Sequence, residues 1–248
     1  MRAFIQKSDE GEFISEPCYV AYFGFAQMGW EIVPFKDIPP EGLSRQDVVV
    51  GWIGSVRTAL KNLGITPPEE IDYPEEIRQY LGRRVWRSTM HTVTAQDDKW
   101  PLFVKSVKGK AIDGFVCDSI KSLVGRGAQE DFDVWCSDVV DFAAEYRCFI
   151  RYGKVMDVRR YKGDWRHALD RETVERCVKD YTSAPAAYSL DFGVARDSSG
   201  RGIDGRTLLV EANDGYAMGS YGLFANSYAK LISARWHELV NIPDPCQF

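Results

Sequence analysis

The sequence lacks any C-x-x-C pair, and its three histidines, at 91, 167 and 237, stand alone, so no zinc-ligand spacing is present. Its six cysteines, at 18, 117, 136, 148, 177 and 246, are scattered singly, as small buried hydrophobes in a reducing compartment are, and form no disulfide framework. A basic excess is missing too: 31 Lys and Arg against 36 Asp and Glu leave a formal charge of −5, which argues against general nucleic-acid binding. No positively charged segment followed by an apolar stretch opens the chain, and the longest apolar-rich run, CYVAYFGFAQMGW, is too short to span a bilayer. The expectation is a cytoplasmic protein with no membrane partner. Neither a G-x-x-x-x-G-K-[ST] loop nor a G-x-S-x-G elbow occurs, so a P-loop and a serine nucleophile of that type are not indicated. There is no internal repeat and no low-complexity segment.

What is present is ordinary for a folded chain: 248 residues, 45% hydrophobic and 27% charged, enough to bury a large core in one domain or in two or three lobes. After a short strand around Ala3 to Gln6, Ser15 is placed to cap a helix that begins with Glu16 and Pro17 and ends near Gly29. WEIVPF reads as a strand. QDVVVGWIG reads as another, running into the helix SVRTALKNLG with Ser55 as N-cap and Gly64 as stop signal. This alternation predicts a small α/β lobe. The proline- and acid-rich stretch ITPPEEIDYPEEIRQYLGRR closes it near residue 84, with Pro74 opening a short helix. Beyond it PLFVKSV, EYRCFIRY, KVMDVRRY, AAYSLDFGV and TLLVEAN alternate or run apolar as strands do, with helices at DRETVERCVKDYTS and NSYAKLISARWHELV. The predicted class is α+β, with a hairpin at RYGK where Gly153 supplies the unusual torsion.

Three groups of residues carry chemistry. In PLFVKSVKGKAIDGF, Phe103, Lys105 and Val107 share one face of a strand; a lysine among apolar neighbours is costly to desolvate unless an anion is near, and the alternative is an ammonium that snorkels to water. Lys108 and Lys110 follow in a glycine-containing loop suited to fold over phosphates. In EYRCFIRYGKVMDVRRY, Glu145 and Arg147 share a face, while Arg159 and Arg160 point to opposite faces so that only one enters a site. That pattern suits either a structural ion pair or a guanidinium fork for phosphate or carboxylate. Finally, LLVEANDGYAMGSYGL delivers Glu211, Asn213 and Asp214 into a glycine-rich loop. Glu211 and Asn213 fall on one face of a continuing strand, and an adjacent antiparallel strand carrying Asp191 would bring three hard-oxygen donors together, as Mg²⁺ on a nucleotide requires. Asp214 falls on the other face and reads as a turn residue.

A lysine in a strand, a lysine-bearing flap, a hinge, a later Asp strand and a terminal Glu-x-Asn, in that order, resemble the ATP-grasp fold. VGWIGSVRTALKNLG, DYPEEIRQYLGRR, FVKSVKGKAIDGFV, EYRCFI, LDFGV, VEANDGYAMGSYGL and YAKLISARWHEL look like the small ATP-grasp domain proteins of bacteria and phages. The resemblance implies two α+β lobes, 85–135 and 136–248, preceded by a small α/β domain over 1–84. It implies that ATP and Mg²⁺ are bound, with Lys105 and Lys110 on the phosphates. DVWCSD becomes the interlobe hinge, with Val134, Trp135 and Cys136 reading adenine through the backbone. Asp191, Glu211 and Asn213 hold the metal. Arg147, with Arg159 or Arg160 (the latter taken as the catalytic one), stabilises the transferred group alongside Lys110. Tyr216, Ser220 and Tyr221 border the second substrate.

The implied reaction is ATP-dependent joining of a small-molecule or peptide carboxylate to an amine through an acyl phosphate, giving ADP and an amide or peptide-like bond. Two other readings fit the same residues: a kinase that phosphorylates a hydroxyl, and a non-catalytic ATP-binding regulator. The seven tryptophans and twelve tyrosines are expected mainly in cores, with Trp86, Trp100 and Trp165 as candidates for exposure.

Overall fold

A computed structural model describes residues 1–37, 42–108, 112–127, 129–197, 199–200 and 202–247. The first unit alternates β1 (Arg2–Gln6), α1 (Glu16–Gln27), β2 (Glu31–Phe35), β3 (Val48–Val50) and α2 (Ile53–Asn62). Its three strands are parallel in the order β2-β1-β3, so the middle strand is buried on both faces and reads as the near-continuous apolar run Ala3, Phe4, Ile5. Ser15 precedes α1 in extended backbone, but its hydroxyl points to Cys18 and caps no amide. Ser55 is not an N-cap: α2 starts two residues earlier, and the Ser55 hydroxyl donates to the Asp37 carbonyl.

The next elements are β4 (Val85–Thr89), α3 (Met90–Ala95), β5 (Leu102–Ser106), β6 (Phe115–Cys117) and β7 (Asp133–Ser137). They form a four-stranded antiparallel sheet, β4-β7-β5-β6. Leu102, Val104, Val134 and Cys136 turn inward onto α3. Phe103, Lys105 and Trp135 are therefore left on the opposite face. Strand β7 runs through residue 135, so an edge between lobes at 135 and 136 would cut a strand; the chain leaves this sheet only after Ser137.

The largest sheet holds β8 (Phe142–Arg151), β9 (Lys154–Gly163), β10 (Ala187–Arg196) and β11 (Ile203–Asp214), in the order β11-β10-β8-β9, with α4 (Arg171–Asp180) between β9 and β10. The β8–β9 turn has Tyr152 and Gly153 both at positive φ, 50° and 68°, the signature of a type I′ hairpin. Tyr188, Leu190 and Phe192 of β10 pack with Cys148 and Ile150 of β8 beneath α4. The alternate residues, Asp191 and Arg147 among them, face the other way.

The final helix, α5 (Ala225–Leu239), returns to the first unit and packs on α1, joining the core of β1 and α1 with Tyr228, Leu231 and Trp236. At Gly24 the two helices approach closely: a Cβ there would run into the Ala225 carbonyl and the Ala229 methyl. The C-terminal segment thus ties the first unit to the large sheet. No helix among the described residues is long and apolar enough to cross a membrane.

Candidate active site

Register across the large sheet sets up the site. Glu211 of β11 stands opposite Asp191 of β10, Asp191 opposite Arg147 of β8, and Arg147 opposite Arg159 of β9. Directly opposed residues share a face, so four charged side chains form one row across four strands. A bulge between Asp191 and Phe192 of β10, where β11 carries Val210 as an extra residue, resets the alternation on β11. Leu209 and Ala212 can then both reach the core under α4 while Glu211 stays with Asp191.

Within the row the charges are paired. Arg147 donates from Nε and Nη2 to the two Asp191 oxygens, at 2.8 and 2.7 Å, and its guanidinium carbon lies 4.3 Å from the centre of the Tyr221 ring. Arg159 is held by Asp157 and sits 5.3 Å from the centre of the Phe224 ring. Burial pushes the Asp191 carboxyl up to about 6, with the Glu211 and Glu145 charges adding to the rise and Arg147 opposing it.

The smaller sheet faces this row with one of its own. Arg87 of β4, Trp135 of β7 and Lys105 of β5 are opposed in register. Lys105 crosses between the sheets, donating to Glu211 at 2.7 Å and to Asp72 at 2.6 Å, with its ammonium 4.8 Å from the centre of the Tyr73 ring. Burial alone would lower the Lys105 pKa, but Glu211, Tyr73 and Asp72 outweigh it and hold the ammonium charged. Burial likewise tends to raise the Glu211 carboxyl, yet Lys105 and Arg147 bring it below the usual glutamate range. The anion that a buried lysine demands is therefore supplied by two carboxylates of the chain itself.

Asp72 joins the site from outside the three chemistry-bearing groups of the sequence. It sits in the proline-rich connection with φ 48°, its carbonyl accepts the Ala212 amide at 2.8 Å, and its second oxygen accepts the Trp135 indole N–H at 2.9 Å. One acid among five in ITPPEEIDYPEEIRQYLGRR gives no sequence signal of its own. Only the bridge from Asp72 to Ala212 brings it beside Glu211. Arg87, 4.4 Å from the Trp135 ring centre, is the second residue missed, because its strand follows three arginine-bearing positions with nothing to rank them.

Other expectations are corrected. Arg160 is opposite Tyr146, not Arg147, and is exposed with its guanidinium on the Gly163 carbonyl; of the two arginines, Arg159 shares the row. Val134, Trp135 and Cys136 are not a hinge. Their strand is hydrogen-bonded on both sides, to β4 and β5, which leaves no free backbone edge for a base. The connection between the sheets is instead 138–141, where Val139 and Val140 make no backbone hydrogen bond among the described residues.

Ser220 is fully buried, with its hydroxyl on the Glu16 carboxylate at 2.5 and 2.6 Å, and so does not border the site. Tyr216 is buried with its phenol toward Arg57 of α2. Tyr221 alone of the three lies against the charged row. Asn213 lies two residues beyond Glu211 on the same face and donates to Glu211 Oε1 at 3.3 Å. Asp214 is bound by Arg235 of α5 with two bonds of 2.6 Å, in keeping with its place off that face. Lys110 lies outside the described residues. Trp165, on the chain that follows β9, is 75% exposed, whereas the Trp100 indole is tied to the Val93 carbonyl.

Among the described residues no group of three or more His, Cys, Asp or Glu is arranged as a metal site. The donors on the row are two carboxylates, Asp191 and Glu211, and the Asn213 amide, which are hard oxygens of the kind Mg²⁺ prefers.

The family model described as ATP-grasp domain, R2K clade family 2, matches residues 80–231, more than half of the chain. Among solved structures, D-alanine–D-alanine ligase from Bacillus anthracis superposes with a TM-score of 0.56 at 15% identity, covering 97% of this chain and 98% of that one. The ATP-grasp ligase PsnB with a minimal precursor gives 0.51 at 11% identity, covering 94% and 99%. The macrocyclase MdnC bound with precursor peptide MdnA, from Microcystis aeruginosa MRC, gives 0.50 at 12% identity with the same coverage. No curated protein matches in sequence.

Proposed function

The chain belongs to the ATP-grasp domain family, in its R2K clade, and from that premise we propose that it is an ATP- and Mg²⁺-dependent carboxylate–amine ligase. The observation that carries the reading is the row Glu211–Asp191–Arg147–Arg159 facing Lys105 across the sheets. Joining two anions, a carboxylate and a triphosphate, needs cations that outlast the approach and hard oxygens for the companion metal, and this row offers both. The structural neighbours named above as ligases, one of them also solved with ATP and another with Mg and ADP, support the same reading.

In the proposed reaction a carboxylate oxygen attacks the γ-phosphorus while the bond to the bridging β–γ oxygen breaks, giving an acyl phosphate and ADP. The amine nitrogen then attacks the acyl carbon, phosphate departs with the bonding electrons, and the nitrogen loses a proton. Asp191, Glu211 and Asn213 would hold Mg²⁺, which supplies Lewis-acid neutralisation of the phosphate charge. Lys105 exchanges Asp72 and Glu211 for phosphate oxygens. Arg147, stiffened by Asp191 and stacked on Tyr221, and Arg159 beside it meet the charge on the transferred group, with Arg87 at the nucleotide end. The free backbone of Val139 and Val140 takes the adenine edge, and Tyr221 separates the phosphate from the second substrate. Lys110 keeps its proposed place on the phosphates.

The test is mass spectrometry of products from ATP, Mg²⁺ and a mixed pool of amino acids and short peptides, repeated with hydroxylamine. ADP with a new amide, and a hydroxamate when hydroxylamine is present, is the expected result. A stable phosphorylated hydroxyl would replace the ligase by a kinase, and Mg²⁺-dependent ATP binding without any turnover would replace it by a regulator.

A further inference from the structure

Arg147, Arg159 and Arg235 are each neutralised by a carboxylate of the chain. Arg57 on α2 is held differently. Its Nε donates to the Tyr216 phenol and its Nη2 to the Pro68 carbonyl, both at 3.1 Å. Both acceptors are uncharged, so the guanidinium is fixed in direction while its charge remains available; Glu70 and Glu69 act on it only as weaker attractions through space.

Lys61 lies one helical turn beyond Arg57 on the same face of α2, and no ion pair involves it among the described residues. Like charges at this spacing repel, and an anion between them would turn that cost into a gain. Lys108, just past β5, approaches from the other side and is 3.5 Å from Glu69. These three cations, with Glu69 and Glu70, line a cavity of about 350 Å³, at the small end of ligand sites.

We propose that this cavity is the subsite for the amine-bearing substrate and that it takes a small zwitterion, a free amino acid or dipeptide. Its non-reacting carboxylate lies on Arg57 and Lys61, and Glu69, exposed on the cavity wall, favours the end that carries the amine. The inference rests on the ligase reading for the role of this substrate. Along the chain the cavity borders the reacting centre: Arg57 bonds Tyr216, three residues beyond Asn213, and Lys108 stands three residues beyond Lys105. The first unit thereby gains a function that its sequence did not announce: α2 recognises what the large sheet transforms.

The test uses the full chain labelled with ¹⁵N and free of nucleotide, following the Arg57 Nε–H signal. It is titrated with glycine, glycylglycine, glycylglycinamide, which lacks the carboxylate, and N-acetylglycine, which lacks the ammonium. The zwitterions are expected to shift the signal saturably, the amide to leave it in place, and N-acetylglycine to bind more weakly; whichever zwitterion binds tighter names the source. Lys61→Gln, at an exposed position, is expected to weaken the tighter zwitterion about tenfold, the worth of one charge-assisted contact. A signal that none of the probes moves, or that the amide moves equally, overturns the subsite. Because no turnover is read, this result is separable from the ligase test: ADP formation with an unmoved Arg57 removes the subsite alone, and saturable binding with no ADP from any substrate removes the ligase reading.

Discussion

Arg147 and Asp191 face each other on neighbouring central strands and share two hydrogen bonds of 2.8 and 2.7 Å, both side chains less than a tenth exposed. The pair lies at the middle of the charged row, so it ties stability and chemistry together. Asp191→Ala leaves Arg147 buried without its counter-charge and is expected to cost about 3–5 kcal/mol, read from urea unfolding. Replacing both, Arg147→Met with Asp191→Leu, should restore most of that stability while abolishing ATP turnover. A double variant as unstable as the single one would show that the loss comes from packing, not from an orphaned charge.

The same carboxyl sets a pH dependence. Its pKa in the folded chain, about 6, is above the ordinary aspartate value. The part of the stability linked to this proton is therefore fully present below the unfolded pKa and is lost as pH rises through about 6, while the ionised carboxylate still serves Arg147 as counter-charge above it. Metal binding runs the opposite way, since it needs the ionised form. Mg²⁺-dependent ATP affinity, measured by calorimetry, is expected to fall as pH drops through that value, and Asp191→Asn should remove this titration along with most of the affinity.

Glu211→Ala is expected to abolish Mg²⁺-dependent ATP binding. It removes a proposed metal donor and one of the two carboxylates that hold Lys105. Unchanged affinity in the presence of Mg²⁺ would withdraw Glu211 from the metal site.

The two arginines of VRRY separate cleanly. Arg159→Ala should lower kcat at least tenfold, by loss of a cation beside Arg147, whereas Arg160→Ala should leave kcat within about twofold of the parent. Equal losses would mean that β9 does not present Arg159 to the reacting groups.

Gly24 tests the return of the C-terminal helix. A side chain at this position meets the Ala225 carbonyl and the Ala229 methyl, so Gly24→Leu is expected to destabilise the fold by about 1–3 kcal/mol. At about 2–4 °C per kcal/mol for a chain of this size, the lower Tm is measurable by calorimetry. An unchanged Tm would mean that α1 and α5 can separate without cost.

Local pattern alone determined a good deal. Alternation in EYRCFIRY and AAYSLDFGV set which side chains of each strand share a face, and in EAND it grouped Glu211 with Asn213 and set Asp214 apart; the bulge at Val210, which turns Leu209 to the other face, had no such signal. Proline and glycine marked the ends of α1 and the β8–β9 turn, because their torsional limits are properties of single residues. Hinge placement failed for a related reason: VWCS has the composition of a strand as much as of a connector, and only its pairing with β4 and β5 shows that its amides are already used.

What tertiary structure decided is register and approach. No spacing along the chain says that Arg159, and not Arg160, stands opposite Arg147; a one-residue bulge on β9 fixes that. Nothing distinguishes Asp72 from the neighbouring acids until one backbone bridge brings it to β11. Nor does the pattern of α5 reveal that its apolar face belongs to α1, since an amphipathic helix specifies the need for a cover and not which surface provides it. Side-chain direction is written locally by backbone periodicity, whereas the meeting of Lys105, Glu211 and Asp72 from three distant segments depends on how whole sheets pack, a property of the chain's full set of contacts.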